Sequence, residues 1–121
     1  PYNAHTTSSD ALWAGLPVLT CMGRAFPGRV AASLLHTIGL PDLVTNNPHD
    51  YAERAFELAT QPELLHELRV RLAHNRASHP LFDTARFCRH LESAYTTMWQ
   101  RNQAGRAPET FAVVSPFVTE T

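Results

Sequence analysis

Lysine is absent from the sequence, because all ten of its basic residues are arginine. Within these 121 residues, no lysine side chain can therefore clamp a phosphate or form a Schiff base. Cysteine is scarce as well: Cys21 and Cys88 lie far apart and form no Cys-x-x-Cys pair. Two such cysteines are typical of buried thiols in a reducing compartment rather than of a disulfide framework.

Long apolar runs are also missing, and no stretch approaches the roughly 18 apolar residues that a membrane-spanning helix needs. The chain starts at Pro1 rather than at a methionine, and it shows no pattern of a signal peptide. A formal net charge of -1 gives no reason to expect nucleic acid or an anionic membrane as a partner. We therefore expect a soluble, cytoplasmic piece of a longer protein whose upstream part lies outside this sequence.

Helix and strand patterns alternate in the first part of the chain. A helix is predicted over residues 7–15, where Thr7 is the expected cap and Asp10 completes a capping box. The pattern then predicts a strand over 18–22, a helix over 29–38 ended by Gly39, and a strand over 43–45. This alternation is typical of a parallel α/β sheet, and because two strands make no stable sheet, we expect further strands upstream.

Three helices are predicted to follow. Asn47-Pro48 opens the first, with a predicted inner face of Tyr51, Ala52, Ala55, Phe56 and Ala59. A capping box at residues 60–63 opens the second, with three leucines inward (Leu65, Leu68 and Leu72) and three arginines outward (Arg69, Arg71 and Arg76). Asp83 caps the last helix, which extends to about Gln103 and has a predicted core face of Phe87, Leu91, Tyr95, Met98 and Trp99.

The first candidate site is the segment Tyr2-Asn3-Ala4-His5-Thr6-Thr7-Ser8-Ser9-Asp10, whose polar side chains lie where the chain enters the first predicted helix. A helix N-terminus offers free N–H groups and the positive end of the dipole, so it binds phosphate well, and Thr or Ser hydroxyls add donors. The carboxylate of Asp10, one turn later, is suited to accept hydrogen bonds from a ribose. The segment has no glycine-rich loop, and spacing alone favours a simple helix cap over a ligand site.

The same segment opens a longer resemblance. Residues 5–20 read HTTSSDALWAGLPVLT, which resembles the HTT-x-x-D-x-LWAG-x-P-[MV]-[VL]-T signature of the O-linked N-acetylglucosamine transferase and SPINDLY family. Similar stretches follow in family order: RVAAS at 29–33, SHPLFDT at 78–84, and LE, Y and MW between 91 and 99. The resemblance therefore spans nearly the whole chain up to about Gly105.

This resemblance implies the GT-B architecture of two Rossmann-like domains. Residues 1–105 would be the C-terminal part of the donor-binding domain, including its final long helix, and residues 106–121 an extended tail. Family members invert the anomeric centre without a metal and move N-acetylglucosamine from UDP-GlcNAc to Ser or Thr of proteins. The SPINDLY branch is associated with fucose from GDP-fucose, and tetratricopeptide repeats usually precede the catalytic region and present acceptors.

Carried over by motif position, Thr6 and Thr7 would contact the diphosphate and Asp10 the ribose. His5 would lie at the edge of the same site, through its backbone. The resemblance implies UDP-GlcNAc as donor substrate, protein acceptors, and neither a cofactor nor a metal. The catalytic base is expected upstream, so this piece would not be active alone, and a non-catalytic relative that keeps the fold is the competing class.

One departure from the family pattern is visible in the loop GRAFPGRV at residues 23–30. The family usually has an acid where Arg24 stands. If the family's acid orients the donor, its replacement by Arg24 leaves open which donor this protein uses. If the loop only lies at the surface, the replacement has no effect on the donor. Arg29 either reaches an anionic ligand or packs locally. The seven histidines show no metal-binding spacing, and His66 and His74 are expected to be solvated.

Overall fold

The computed structural model describes residues 2–113, which divide into two compact units. The first unit ends at Phe82 and the second begins at Asp83. No helix within residues 2–113 is long and apolar enough to cross a membrane.

The first unit alternates helices and strands in the predicted order. Its elements are α1 (Thr6–Trp13), β1 (Thr20–Cys21), α2 (Val30–Thr37), β2 (Val44–Thr45), α3 (Pro48–Thr60) and α4 (Pro62–Ser78). The two strands are parallel, with Thr20 opposite Val44 and Cys21 opposite Thr45. The prediction of a parallel α/β arrangement is thus confirmed. Both strands are shorter than predicted. Leu43 belongs to a short 3-10 turn, and residues 18–19 have no partner strand among the described residues.

The core of the first unit is a cluster of buried aliphatic side chains from both strand-flanking helices and from α4. Its members are Leu12, Leu35, Ile38, Leu40, Leu43, Leu68 and Leu72, all at most 3% exposed. Gly39 ends α2 with a φ of 76°, and a Cβ there would lie 2.5 Å from His79 Nε2 and 2.7 Å from Asn75 Nδ2. Only glycine therefore fits this turn, as the sequence pattern predicts.

Only part of the predicted inner face of α3 is confirmed. No residue of α3 is fully buried, and the predicted core residues Tyr51 and Phe56 are 40% and 71% exposed. The half-buried side of the helix includes Arg54, Leu58 and, of the predicted residues, Ala55. The helix is rotated from the predicted orientation, because it packs against the core through Leu58.

The capping box predicted at residues 60–63 is also wrong. The third helix continues through Thr60, whose hydroxyl donates to Phe56 O at 2.8 Å. Gln61 is the N-cap residue of α4, and its side chain makes no capping hydrogen bond among the described residues. By contrast, the predicted cap at Asn47 is confirmed, because Asp50 N donates to Asn47 Oδ1 at 2.9 Å.

The outward positions predicted on α4 are only partly confirmed. Arg69 is exposed, and Arg71 is exposed in an ion pair with Asp42. Arg76 is half-buried and donates a hydrogen bond to Trp13 O, so it is not an outward residue. Leu68 and Leu72 are buried as predicted, and Leu65 is half-buried. The leucine spacing thus predicted the inner face of α4 correctly, whereas Arg76, at the margin of that face, contacts α1.

The second unit consists of α5 (Thr84–Gln103) and the segment that follows it. The predicted cap is confirmed, because Arg86 N donates to Asp83 Oδ1 at 2.8 Å. The predicted core face is not buried by the described residues: Leu91 is 38% exposed, and Phe87, Tyr95, Met98 and Trp99 are 53–63% exposed. Cys88 is exposed rather than buried, whereas Cys21 is half-buried; neither forms a disulfide.

The segment after α5 has no regular secondary structure up to Val113. Arg101 Nη2 donates to Ala107 O at 3.0 Å, and Arg101 also pairs with Glu109, so the start of the segment returns to the helix end. The predicted tail over residues 106–121 lies partly outside the described residues, and its boundary stays a prediction.

Candidate functional site

The N-terminus of α1 carries no side-chain cap among the described residues. Its N-cap residue is His5, with φ −106° and ψ −91°, and no side chain there accepts a hydrogen bond from the first turn. The predicted cap at Thr7 is therefore wrong, because the helix begins one residue earlier and Thr7 is its second residue. The backbone bond Ser9 N to His5 O, 3.1 Å long, is the first of the helical ladder, which leaves the amides before it for a ligand or water.

Polar side chains surround these open amides. Thr6, Thr7 and Asp10 are all exposed. Residues four apart lie on the same side of a helix, so Thr6 and Asp10 face the same direction, one turn apart. Ser8 differs from its neighbours: it is 2% exposed, and its Oγ has no hydrogen-bond partner among the described residues. The helix thus presents free N–H groups, two hydroxyls and one carboxylate at its accessible end.

Asn3 ties the segment that enters α1 to the end of β1 and to the loop after it. Its backbone N–H donates to Pro27 O at 2.9 Å. Its side-chain amide donates to Gly28 O at 2.8 Å and to Cys21 O at 3.2 Å. These three bonds place the start of α1 beside the carboxyl end of β1, where open parallel α/β sheets bind ligands. Asn3 lies in the predicted site segment, but sequence reasoning assigned it no role, because these partners lie 18 to 25 residues further along the chain.

The ring of His5 is held by two aromatic neighbours. Tyr2 stacks on it, with ring centroids 5.1 Å apart and planes 13° apart. Phe26 approaches it edge-on at 6.0 Å, and His5 Nε2 lies 3.3 Å from Pro27 O. Because Tyr2 and Phe26 are 80% and 77% exposed, this aromatic group lies at the surface beside the N-cap residue of α1. Tyr2 lies in the predicted site segment, whereas Phe26 was not predicted at the site, because nothing in the local pattern brings residue 26 back to residue 5.

The loop at residues 23–30, which contains Arg24, lies next to this aromatic group. Gly23 N donates to Gly28 O at 2.7 Å and closes the loop. Arg24 and Arg29 are both exposed, and Arg29 is the N-cap residue of α2. Two cationic side chains are therefore present in the loop that Asn3 bonds to the start of α1.

Within residues 2–113, no three His, Cys, Asp or Glu side chains come together in a way that could hold a metal ion. His66 and His74 are exposed, as their positions on α4 predict.

The sequence matches the family model described as glycosyl transferase family 41 over residues 2–91. It is 39% identical over 108 residues to a probable UDP-N-acetylglucosamine-peptide N-acetylglucosaminyltransferase SPINDLY from Solanum lycopersicum, covering 89% of this chain and 12% of that protein. It is 38% identical over 113 residues to the corresponding probable SEC protein of Arabidopsis thaliana, covering 93% of this chain and 12% of that protein.

A solved structure shows the same similarity in three dimensions. It is a mutant of the O-GlcNAc transferase of Thermobaculum terrenum, which superposes with a TM-score of 0.79 at 37% identity and covers 87% of this chain and 20% of that one. The chain belongs to glycosyl transferase family 41. The predicted fold class is confirmed by this match, with parallel strands, flanking helices and a long C-terminal helix as in a GT-B catalytic region. The chain spans about an eighth of the length of the curated relatives it matches.

The open start of α1 predicts that Thr7→Val leaves stability nearly unchanged. The Thr7 hydroxyl caps no amide, and threonine and valine have similar helix propensities, so the free energy of unfolding of the intact protein should change by less than about 0.5 kcal/mol. Urea unfolding measures this, and Asn47→Ala serves as control because it removes a real cap and should cost about 1 kcal/mol. An equal loss in both variants would show that Thr7 caps α1 in solution.

Proposed function

We propose that this chain supplies part of the UDP site of a glycosyltransferase that moves N-acetylglucosamine from UDP-GlcNAc to Ser or Thr hydroxyls of proteins. The observation that carries the proposal is the uncapped N-terminus of α1 with the exposed Thr6, Thr7 and Asp10 around it, in a chain of this family. The starts of α2 and α4 also lack a side-chain cap, but of these three helix starts only that of α1 has two threonine hydroxyls, and free amides together with hydroxyls favour an anionic ligand.

Each side chain has a role that follows from its place on α1. The open amides and the hydroxyls of Thr6 and Thr7 bind the diphosphate, which the positive end of the helix dipole attracts. Asp10, one turn further along, accepts hydrogen bonds from the ribose hydroxyls. His5 contributes its backbone at the edge of the site, because its ring is already engaged by Tyr2 and Phe26.

The same groups assist the reaction by stabilising the leaving group. When the bond between the sugar and the diphosphate breaks, negative charge develops on the departing UDP. Hydrogen-bond donors fixed at the phosphates stabilise that charge more in the transition state than in the bound donor, and they need no rearrangement as the bond breaks. In this proposal the reaction inverts the anomeric centre without a metal, and the base that activates the acceptor hydroxyl comes from the upstream part of the protein.

The upstream part also supplies the remaining partners in this proposal. A second Rossmann-like domain closes the cleft, and tetratricopeptide repeats present the protein acceptors. This chain alone then binds the donor incompletely and transfers nothing. A donor screen on the intact protein tests the assignment: UDP-GlcNAc should be consumed with a protein acceptor, and GDP-fucose should not. Turnover of GDP-fucose alone would assign an O-fucosyltransferase, and UDP binding without transfer of any sugar would indicate a non-catalytic relative.

Replacing Asp10 tests the ribose contact. Asp10→Ala should weaken UDP binding to the intact protein by about 1–3 kcal/mol, or roughly 5- to 150-fold in Kd, because the ribose hydroxyls lose a charged acceptor. Isothermal titration calorimetry measures this. Glu63→Ala is the matched control: Glu63 is an exposed acid in the first turn of α4 and should leave Kd unchanged. Equal affinity of the Asp10→Ala variant and the unmodified protein would refute the ribose assignment.

Chelation tests the metal-free mechanism. Transfer by the intact protein should continue at an unchanged rate in excess EDTA, because amides and hydroxyls rather than a cation stabilise the leaving diphosphate in this proposal. The rate of UDP release measures it, with a magnesium-dependent glycosyltransferase as a positive control for chelation. Loss of activity that added divalent metal restores would contradict the mechanism.

A further inference from the structure

Two neighbouring residues near the end of α4 bond the C-terminal ends of two other helices. Asn75, which is 6% exposed, donates through Nδ2 to Ile38 O at 2.8 Å, directly after α2. Arg76 donates through Nη1 to Trp13 O, at the last residue of α1. The C-terminal ends of both helices that flank β1 are therefore attached to one turn of α4.

The contact between Arg76 and α1 includes the ring of Trp13 as well as its carbonyl. The guanidinium carbon of Arg76 lies 5.6 Å from the centroid of the Trp13 ring. Phe82 meets the same ring edge-on, with centroids 5.1 Å apart at an angle of 68°. Trp13 is 61% exposed, so burial alone does not hold its ring. Arg76 thus bonds the backbone of α1, stacks on its last side chain and brings a positive charge to the negative end of the helix dipole.

Because α1 is short, the contact between Arg76 and Trp13 affects the orientation of the opposite, N-terminal end of the helix. A helix of eight residues is only about 12 Å long and behaves as a short rigid rod. Within the described residues, α1 is held near its C-terminal end by buried Leu12 and by Trp13, and at its start by buried Ser8 and by the bonds of Asn3. A tilt allowed at the C-terminal end changes the direction in which the open amides at the N-terminal end point.

We propose that Arg76 is a positioning residue that holds α1 in the orientation in which its N-terminus receives the donor diphosphate. This inference rests on the proposed function, and it adds a residue that lies at the far end of the helix and touches no donor atom. Arg76 acts through the backbone of Trp13, so its effect should appear in UDP binding and, through the same amides, in the transfer step.

Three variants of the intact protein test the proposal: Arg76→Met, Arg76→Lys and Arg69→Met. Methionine keeps an unbranched stem and loses both the charge and the donors. Lysine keeps the charge and one donor but not the planar group that stacks on Trp13. Arg69 is the matched control, because it lies on the same helix, is exposed and makes no side-chain hydrogen bond or ion pair within the described residues.

Arg76→Met should raise the Kd for UDP by about 3- to 30-fold and lower kcat/KM by at least as much, because the amides that bind the diphosphate also stabilise the leaving group. Arg76→Lys should lie between Arg76→Met and the unmodified protein, and Arg69→Met should match the unmodified protein. Calorimetry should give an unchanged number of binding sites, which shows that the variants are folded. Hydrogen exchange without nucleotide should be faster at residues 9–13 in Arg76→Met only.

A purely structural role for Arg76 would lower the number of binding sites or the melting temperature while Kd and kcat/KM stayed the same, and this result would overturn the proposal. An equal rise in Kd for Arg69→Met would also overturn it, because the effect would then be one of general charge. If the unmodified protein binds no UDP, the proposed function is wrong. Hydrogen exchange then decides separately whether Arg76 orders α1, and unchanged exchange in Arg76→Met would refute that as well.

Discussion

The complete burial of Leu12 is the contact on which the position of α1 depends. An eight-residue helix is too short to be stable alone in water, and this one has no side-chain cap at its start. Leu12 is 0% exposed and packs in one cluster with Leu35, Ile38 and Leu72, and burying a leucine contributes about 1.5–3 kcal/mol. The helix is therefore formed and held by its contact with the core, and its N-terminus stays open.

Two of the five α-helices within residues 2–113 have a side-chain cap, and α1, with the proposed binding end, is one of the three that do not. Asn47 and Asp83 cap α3 and α5 through their side chains, and each satisfies an amide of the first turn. At α1, the hydroxyls of Thr6 and Thr7 are present but make no such bond. An unsatisfied helix start lowers stability, and it is also the condition for binding a phosphate there. Departures from the stabilising pattern are expected at sites of function.

Sequence reasoning succeeded for several features that depend on a few neighbouring residues. The glycine stop at Gly39 and the caps at Asn47 and Asp83 were all predicted correctly, because each follows from local backbone geometry. It failed at Thr7, where the helix begins one residue earlier than the pattern indicates. It also failed for most of the inner face of α3, because the spacing of apolar residues does not show which side of a helix the other elements cover.

The sequence by itself determined the order of helices and strands, the family, and the presence of hydroxyls and a carboxylate at the start of α1. Only the tertiary structure decided that those side chains leave the helix amides uncapped and that Asn3 joins this segment to the end of β1. It also decided that Arg76, 63 residues from Trp13, bonds the other end of the same helix. Local patterns encode turns and helix ends, whereas contacts between distant residues arise only when the apolar core brings their elements together.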